Sequence, residues 1–327
     1  MGIETEREQL GNFIESYNDE TINNTKGLCN LVVRGMYTVA PEEVKSSDFL
    51  NNPAKVEVAN ALLSYQIALN DLIDFSHSNR EDIGDIVKYL KEREIKQKIT
   101  LGKKLEKLGS VETSSLIENA VKETELIEKN FHLFKNEPSF DDVEQYRNMV
   151  NAISNYVLSA LILGEDKFSD KMSTGQEATT YDDIFNKYKW LVNGEYSNNS
   201  QRVVVIMHKL VMSSQIYDDW VGKDIDKQLG TESFFTAAMR EKKDNIEETK
   251  IFLTNIKKSY EREARELGIG FLPQKGFDFF QKTMQDGMHW VTKISRFSNI
   301  EVLKGWAANI VIKNLGARER LYAQEII

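Results

Sequence analysis

The chain has 327 residues, 41% of them hydrophobic and 28% charged, and its 42 Lys and Arg against 51 Asp and Glu give a formal net charge of -9. That balance argues against a nucleic-acid binder, which needs a basic face, and leaves polyphosphate binding open only through an intervening metal ion. A lone cysteine, Cys29, excludes a disulfide framework or a thiolate zinc site, and His77, His132, His208 and His289 stand at no metal-ligand spacing. No apolar run approaches the ~18 residues of a membrane span. The start, Met1 to Leu10, is polar and acidic and lacks the pattern of a signal peptide, so the expected location is cytoplasmic.

Helical signals follow one another along the chain. Ala61 to Leu69 reads as a largely buried helix that runs into Asn70, Asp71 and Asp74. Lys88 to Glu94 mixes both signs at helical spacing, the mark of a solvated face. Ser139 with Asp142 three residues on is a helix start, and the amphipathic pattern behind it continues to Leu163, where Gly164 breaks it. Glu165 to Thr180 is the nearest thing to a long loop. Tyr181 to Val192 closes on Asn193-Gly194, a left-handed stop. Arg202 to Ile206 is the single strand-like run, but it continues into a helical period from Gln201 to about Asp226. Helices are then expected over Thr231 to Leu267, Lys275 to Phe297 and after Ile300. Pro41, Pro53, Pro138 and Pro273 all fall between these segments, and neither a repeat nor a Gly/Ser/Pro-rich linker divides the chain. The expected fold is all-α, one helical domain over residues 1–327 with about ten to twelve helices.

Two acidic clusters sit where the local sequence is otherwise apolar. Asn70, Asp71 and Asp74 end one apolar helix and project from about one side of it. Asp218, Gly222 and Asp226 form a stripe at i, i+4 and i+8 that follows the apolar run Val203 to Val211. Unpaired carboxylates among such neighbours are costly, so they must meet water, a cation or a metal. Taken singly, either cluster is as well explained by a solvated helix end. Together they form an oxygen-rich set without histidine or thiolate, which suits Mg²⁺ shared with a substrate diphosphate.

With these residues the chain resembles the class I terpene synthases, within the wider group of helical isoprenoid-diphosphate enzymes. Asn70-Asp71-Leu72-Ile73-Asp74 is similar to the aspartate-rich DDxxD motif, with Asn in its first place. Asp218 to Asp226 is similar to the second metal motif, (N/D)DxxSxxxE, with Gly222 in the hydroxyl position and Asp226 in place of Glu. Trp290 followed by Arg296-Phe297 is similar to the family's C-terminal tryptophan and Arg-Tyr pair. Order and spacing match from about residue 55 onward.

The resemblance implies a helical bundle around a central cavity and Mg²⁺ as cofactor, about three ions, with Mn²⁺ able to substitute. Asn70, Asp71, Asp74, Asp218 and Asp226 would hold the metal, and Arg296, Lys223, Arg80 and Lys187 would clamp the diphosphate of a prenyl substrate. Lys189, Arg202 and the more distant Arg147 are further candidates for the cation that senses it. Breaking the carbon–oxygen bond leaves an allylic carbocation, and the metals and cationic donors stabilise the charge that grows on the leaving group. Leu63, Ser64, Ile67, Val211 and Ser214 would line a dry cavity, and Phe75, Trp220 and Trp290 would offer π faces to the cation. A water would replace the hydroxyl missing at Gly222. The implied product is a terpene hydrocarbon or alcohol, and relatives of this kind are often homodimers. Two other readings stay open: a chain-elongating prenyltransferase, towards which Arg80 leans, and a non-catalytic helical relative.

Overall fold

Asn52 and Pro53 together start the first long helix. The Asn52 side-chain oxygen accepts from the backbone N–H groups of Ala54 and Lys55 (3.1 and 3.3 Å), and Pro53 takes the first helical position, where its missing N–H costs nothing. The computed structural model describes residues 37, 40–45, 49, 51–76, 84–134, 137–164, 168, 178, 180–229 and 232–272. Among these residues eight α-helices and one short 3₁₀ turn, Glu42–Val44, occur without a strand. We label the helices α1 (Pro53–Ser76), α2 (Gly84–Leu108), α3 (Val111–Phe134), α4 (Phe140–Leu163), α5 (Tyr181–Val192), α6 (Asn199–Leu229), α7 (Phe234–Glu241) and α8 (Ile246–Gly268). The fold is all-α. None of these helices is long and apolar enough to cross a membrane.

Local chemistry sets most boundaries. Ser139 and Asp142 form the reciprocal capping box expected of α4, and Thr180 with Asp183 does the same for α5. α5 ends as Asn193-Gly194 requires. Gly194 stands at φ 79°, its N–H reaches the Leu191 carbonyl (3.2 Å), and the Glu195 N–H reaches that of Trp190 (2.7 Å). The run Arg202 to Ile206 is helical, inside α6.

The segment expected as one helix from Thr231 to Leu267 is two. α7 stops at Glu241, Lys243 and Asp244 take left-handed backbone (φ 50° and 62°), and Asn245 caps α8 through the N–H groups of Glu247 and Glu248. The Asp244 N–H reaches back to the Met239 carbonyl at 2.8 Å, the same stop that Gly194 makes but without a glycine. The helices expected over Lys275 to Phe297 and after Ile300 lie outside the described residues.

α4 is the centre of the packing. It touches α1, α3, α5, α6 and α7, and most of its surface is buried. α1 lies antiparallel on α2, with Glu57 near the start of one paired to Lys104 (2.8 Å) and Lys107 (3.5 Å) near the end of the other. α8 lies along α6. On one flank of α4, Tyr156 meets Phe168, Tyr188 and Trp190 edge-on at 5.8, 5.6 and 6.3 Å. On another, a polar seam joins α4 to α6 and α8. His208 lies between Asn155 (3.4 Å) and Asn148 (3.1 Å), and Asn148 also donates to the Tyr260 hydroxyl at 3.0 Å.

Candidate functional site

α6 carries three buried carboxylates near its C-terminal end, Asp218, Asp219 and Asp226, with only 6%, 4% and 4% of their surface exposed. Residues at i, i+1 and i+8 share one side of a helix, so three like charges are confined together. Asp219 is the best anchored. One oxygen accepts from the Gln215 amide and the other from the Phe234 backbone N–H, both at 2.7 Å. The second bond satisfies an orphan donor at the start of α7 and fixes α7 to α6. Burial pushes the Asp219 carboxyl up to about 7; Arg147 opposes that rise, Asp226 and Asp218 add to it, and the Phe234 N–H opposes it.

Arg147, on α4, is the cation that opposes this rise. It is 6% exposed. One guanidinium nitrogen donates to the Asn70 side-chain oxygen at 3.1 Å and another to the Glu232 backbone carbonyl at 3.3 Å. Its guanidinium carbon stands 5.3 Å from the ring centre of Tyr146, whose hydroxyl donates to Glu128 of α3. Arg147 thus links the end of α1 and the loop that enters α7, and its charge acts on Asp219 of α6.

Beside that contact α1 and α4 both carry partly exposed residues. Along the buried middle of α1, Leu63, Gln66, Ile67 and Asn70 alone are partly exposed, at i, i+3, i+4 and i+7. Asn70 meets α4, so this stripe looks towards α4. On α4 the partly exposed Val150, Asn151 and Ser154 follow Arg147 at helical spacing. Gln66 stands out on the α1 stripe. Both atoms of its side-chain amide are buried without a hydrogen-bond partner, one turn before Asn70.

The expected site residues divide accordingly. Asn70 is bonded to Arg147, whose charge acts on Asp219 beside Asp218, Asp226 is buried on the same helix, and Leu63 and Ile67 lie on the stripe with Asn70. Ser64, Val211 and Ser214 are buried, and the Ser214 hydroxyl donates to its own helix at the Leu210 carbonyl (2.9 Å). Trp220 points away from the Asp218–Asp226 stripe, two residues round the helix from Asp218. Its ring lies edge-on to Phe235 at 5.9 Å, with the ammonium groups of Lys223 and Lys250 over it at 4.9 and 6.0 Å. The indole face expected to meet a substrate cation is thus met by lysines, and Lys223 is drawn to it.

Other basic candidates are engaged elsewhere. Lys187 pairs with buried Glu123 of α3 at 2.8 Å, and the neighbouring Tyr188 hydroxyl donates to the same carboxylate. Lys189 reaches Asn186 (3.5 Å). Arg202 donates to the Leu267 and Ile269 carbonyls (2.7 and 3.3 Å), closing the end of α8. Arg80, Trp290 and Arg296, and the side chains of Asp71, Asp74 and Phe75, lie outside the described residues.

Among the described residues no three His, Cys, Asp or Glu side chains converge as a metal site. The donor set nonetheless fits a hard divalent cation in kind. It offers only oxygens, and crowding of Asp218, Asp219 and Asp226 makes positive charge favourable there. Asp219 has both oxygens committed, to the Gln215 amide and the Phe234 N–H. Comparisons with family models, with characterised proteins and with solved structures give no match.

Proposed function

We propose that the protein is a Mg²⁺-dependent enzyme of the class I terpene synthase type, ionising an allylic prenyl diphosphate and releasing diphosphate with a terpene hydrocarbon or alcohol. One observation carries the reading. Arg147 bonds Asn70, at the head of the first acidic cluster, and its charge acts on Asp219 in the second, although the two clusters are far apart in sequence. Two acid-bearing helices that meet at a buried arginine suit metal ions and a polyphosphate better than they suit a solvated surface. Asp218 and Asp226 would hold Mg²⁺ from α6, and Asp71 and Asp74 from α1. The ion would supply electrostatic stabilisation of the departing diphosphate. The half-buried stripe Leu63, Gln66 and Ile67 would face the hydrocarbon chain, and the surrounding core would exclude water from the cation.

Incubation with Mg²⁺ and allylic diphosphates of graded chain length, with and without isopentenyl diphosphate, tests this by mass spectrometry of the organic extract. The expected result is a hydrocarbon or alcohol from one allylic substrate alone. Elongated prenyl diphosphates formed only when isopentenyl diphosphate is present would instead make the protein a prenyltransferase.

A further inference from the structure

We propose that Arg147 is a positioning residue that ties the C-terminal part of α1 to the entrance of α7 beside the buried acids of α6, and that Asn70 serves as its acceptor rather than as a metal ligand. The inference rests on the metal reading above and changes the part Asn70 plays in it.

Three observations carry it. The Asn70 side-chain oxygen, the one atom of that amide able to ligate a hard cation, accepts from the Arg147 guanidinium at 3.1 Å. The same guanidinium donates to the Glu232 carbonyl at 3.3 Å, and the Glu232 carboxylate is itself held by Arg240 (2.7 and 3.0 Å). Arg147 is gripped from below as well, since its planar group lies over Tyr146, a ring stacked on Phe131 at 4.0 Å. α4, the most central helix, therefore fixes the C-terminal part of α1 and the entrance to α7 through one side chain. α7 is in turn bonded to Asp219. A shift of α1 against α6 would break this chain of contacts at Asn70.

Asn in this place also has a chemical reason. An Asp would form an ion pair with Arg147 and neutralise the cation that offsets Asp219. The neutral amide holds the guanidinium without neutralising its charge. Arg147 needs the planar fork for this, because a lysine ammonium cannot reach Asn70 and Glu232 in the same directions.

The test is a double-mutant cycle on Mn²⁺ binding to the full chain, read by electron paramagnetic resonance, with Asn70→Ala, Arg147→Lys and the double variant. Arg147→Lys keeps the charge, so any change reports geometry. Groups that orient metal ligands from outside typically change metal affinity by about 10–100-fold. Each single variant is expected to weaken Mn²⁺ binding about tenfold, at a melting temperature that shows the chain still folded. The double variant should bind no more weakly than the weaker single one, because both substitutions break the same contact. Multiplying losses would make Asn70 a ligand in its own right and overturn the proposal. Singles that bind like the wild type would overturn it too, and Asn70→Ala gives that answer even if Arg147→Lys does not fold. Wild-type protein that binds no Mn²⁺ would overturn the metal reading itself and this inference with it.

Discussion

His208 shows what a single buried side chain contributes. It is fully enclosed, its two ring nitrogens are matched to Asn155 and Asn148, and burial, with Lys209 adding to it, pulls its pKa down to about 3. An unfolded chain takes up that proton near 6.5, so between about 6.5 and 3 the unfolded state binds more protons than the folded one. Stability supplied by the neutral imidazole is present above that window and is lost as pH falls through it, by at most about 1.4 kcal/mol per pH unit. Urea unfolding of wild type and His208→Gln at pH 7 and pH 4.5 checks this. The wild type should lose more stability on acidification than the variant, and equal losses would mean that His208 is already charged in the fold. At this scale the sequence was only partly legible. The acids Asp218 and Asp226 declared themselves by standing at the end of an apolar run. Arg147 stood among several candidate cations and nothing set it apart, because nothing around it in sequence says that α4 is the central helix. Gln66 was not singled out, although its place one turn before Asn70 was a usable signal.

Elements were legible where their ends are written in local chemistry. Ser139 with Asp142, and Asn193-Gly194, satisfy helix ends with side chains or backbone within a few residues, so the pattern alone locates them. The break between α7 and α8 was missed for the same reason. Lys242-Lys243-Asp244-Asn245 contains neither glycine nor proline, and the left-handed turn there is imposed by the packing of α7 and α8 against α6. A non-glycine residue in that conformation costs roughly 1–2 kcal/mol. Lys243→Gly, at φ 50°, is therefore expected to raise unfolding stability by about 1 kcal/mol, measured as a higher urea midpoint at unchanged slope. A lower midpoint would show that Lys243 is not strained.

Across the whole molecule, a sequence of apolar helices interrupted by acids becomes a bundle in which α4 is surrounded and carries Arg147, the side chain that bonds Asn70 of α1. The fold class was legible because helical periodicity repeats in nearly every segment. That the acids of α1 and α6 face one another was an expectation of the sequence, and Arg147, one of several cations it offered, is the one bonded to Asn70. The central claim is that these acids handle a metal-bound diphosphate. Its most direct measurement is release of inorganic diphosphate from an allylic prenyl diphosphate, by wild type and by Asp226→Asn, with Mg²⁺ or with excess chelator. The account predicts Mg²⁺-dependent release that the chelator abolishes and that falls about hundredfold in the variant. Release undiminished by the chelator, or a folded wild type inert towards every chain length, would contradict it.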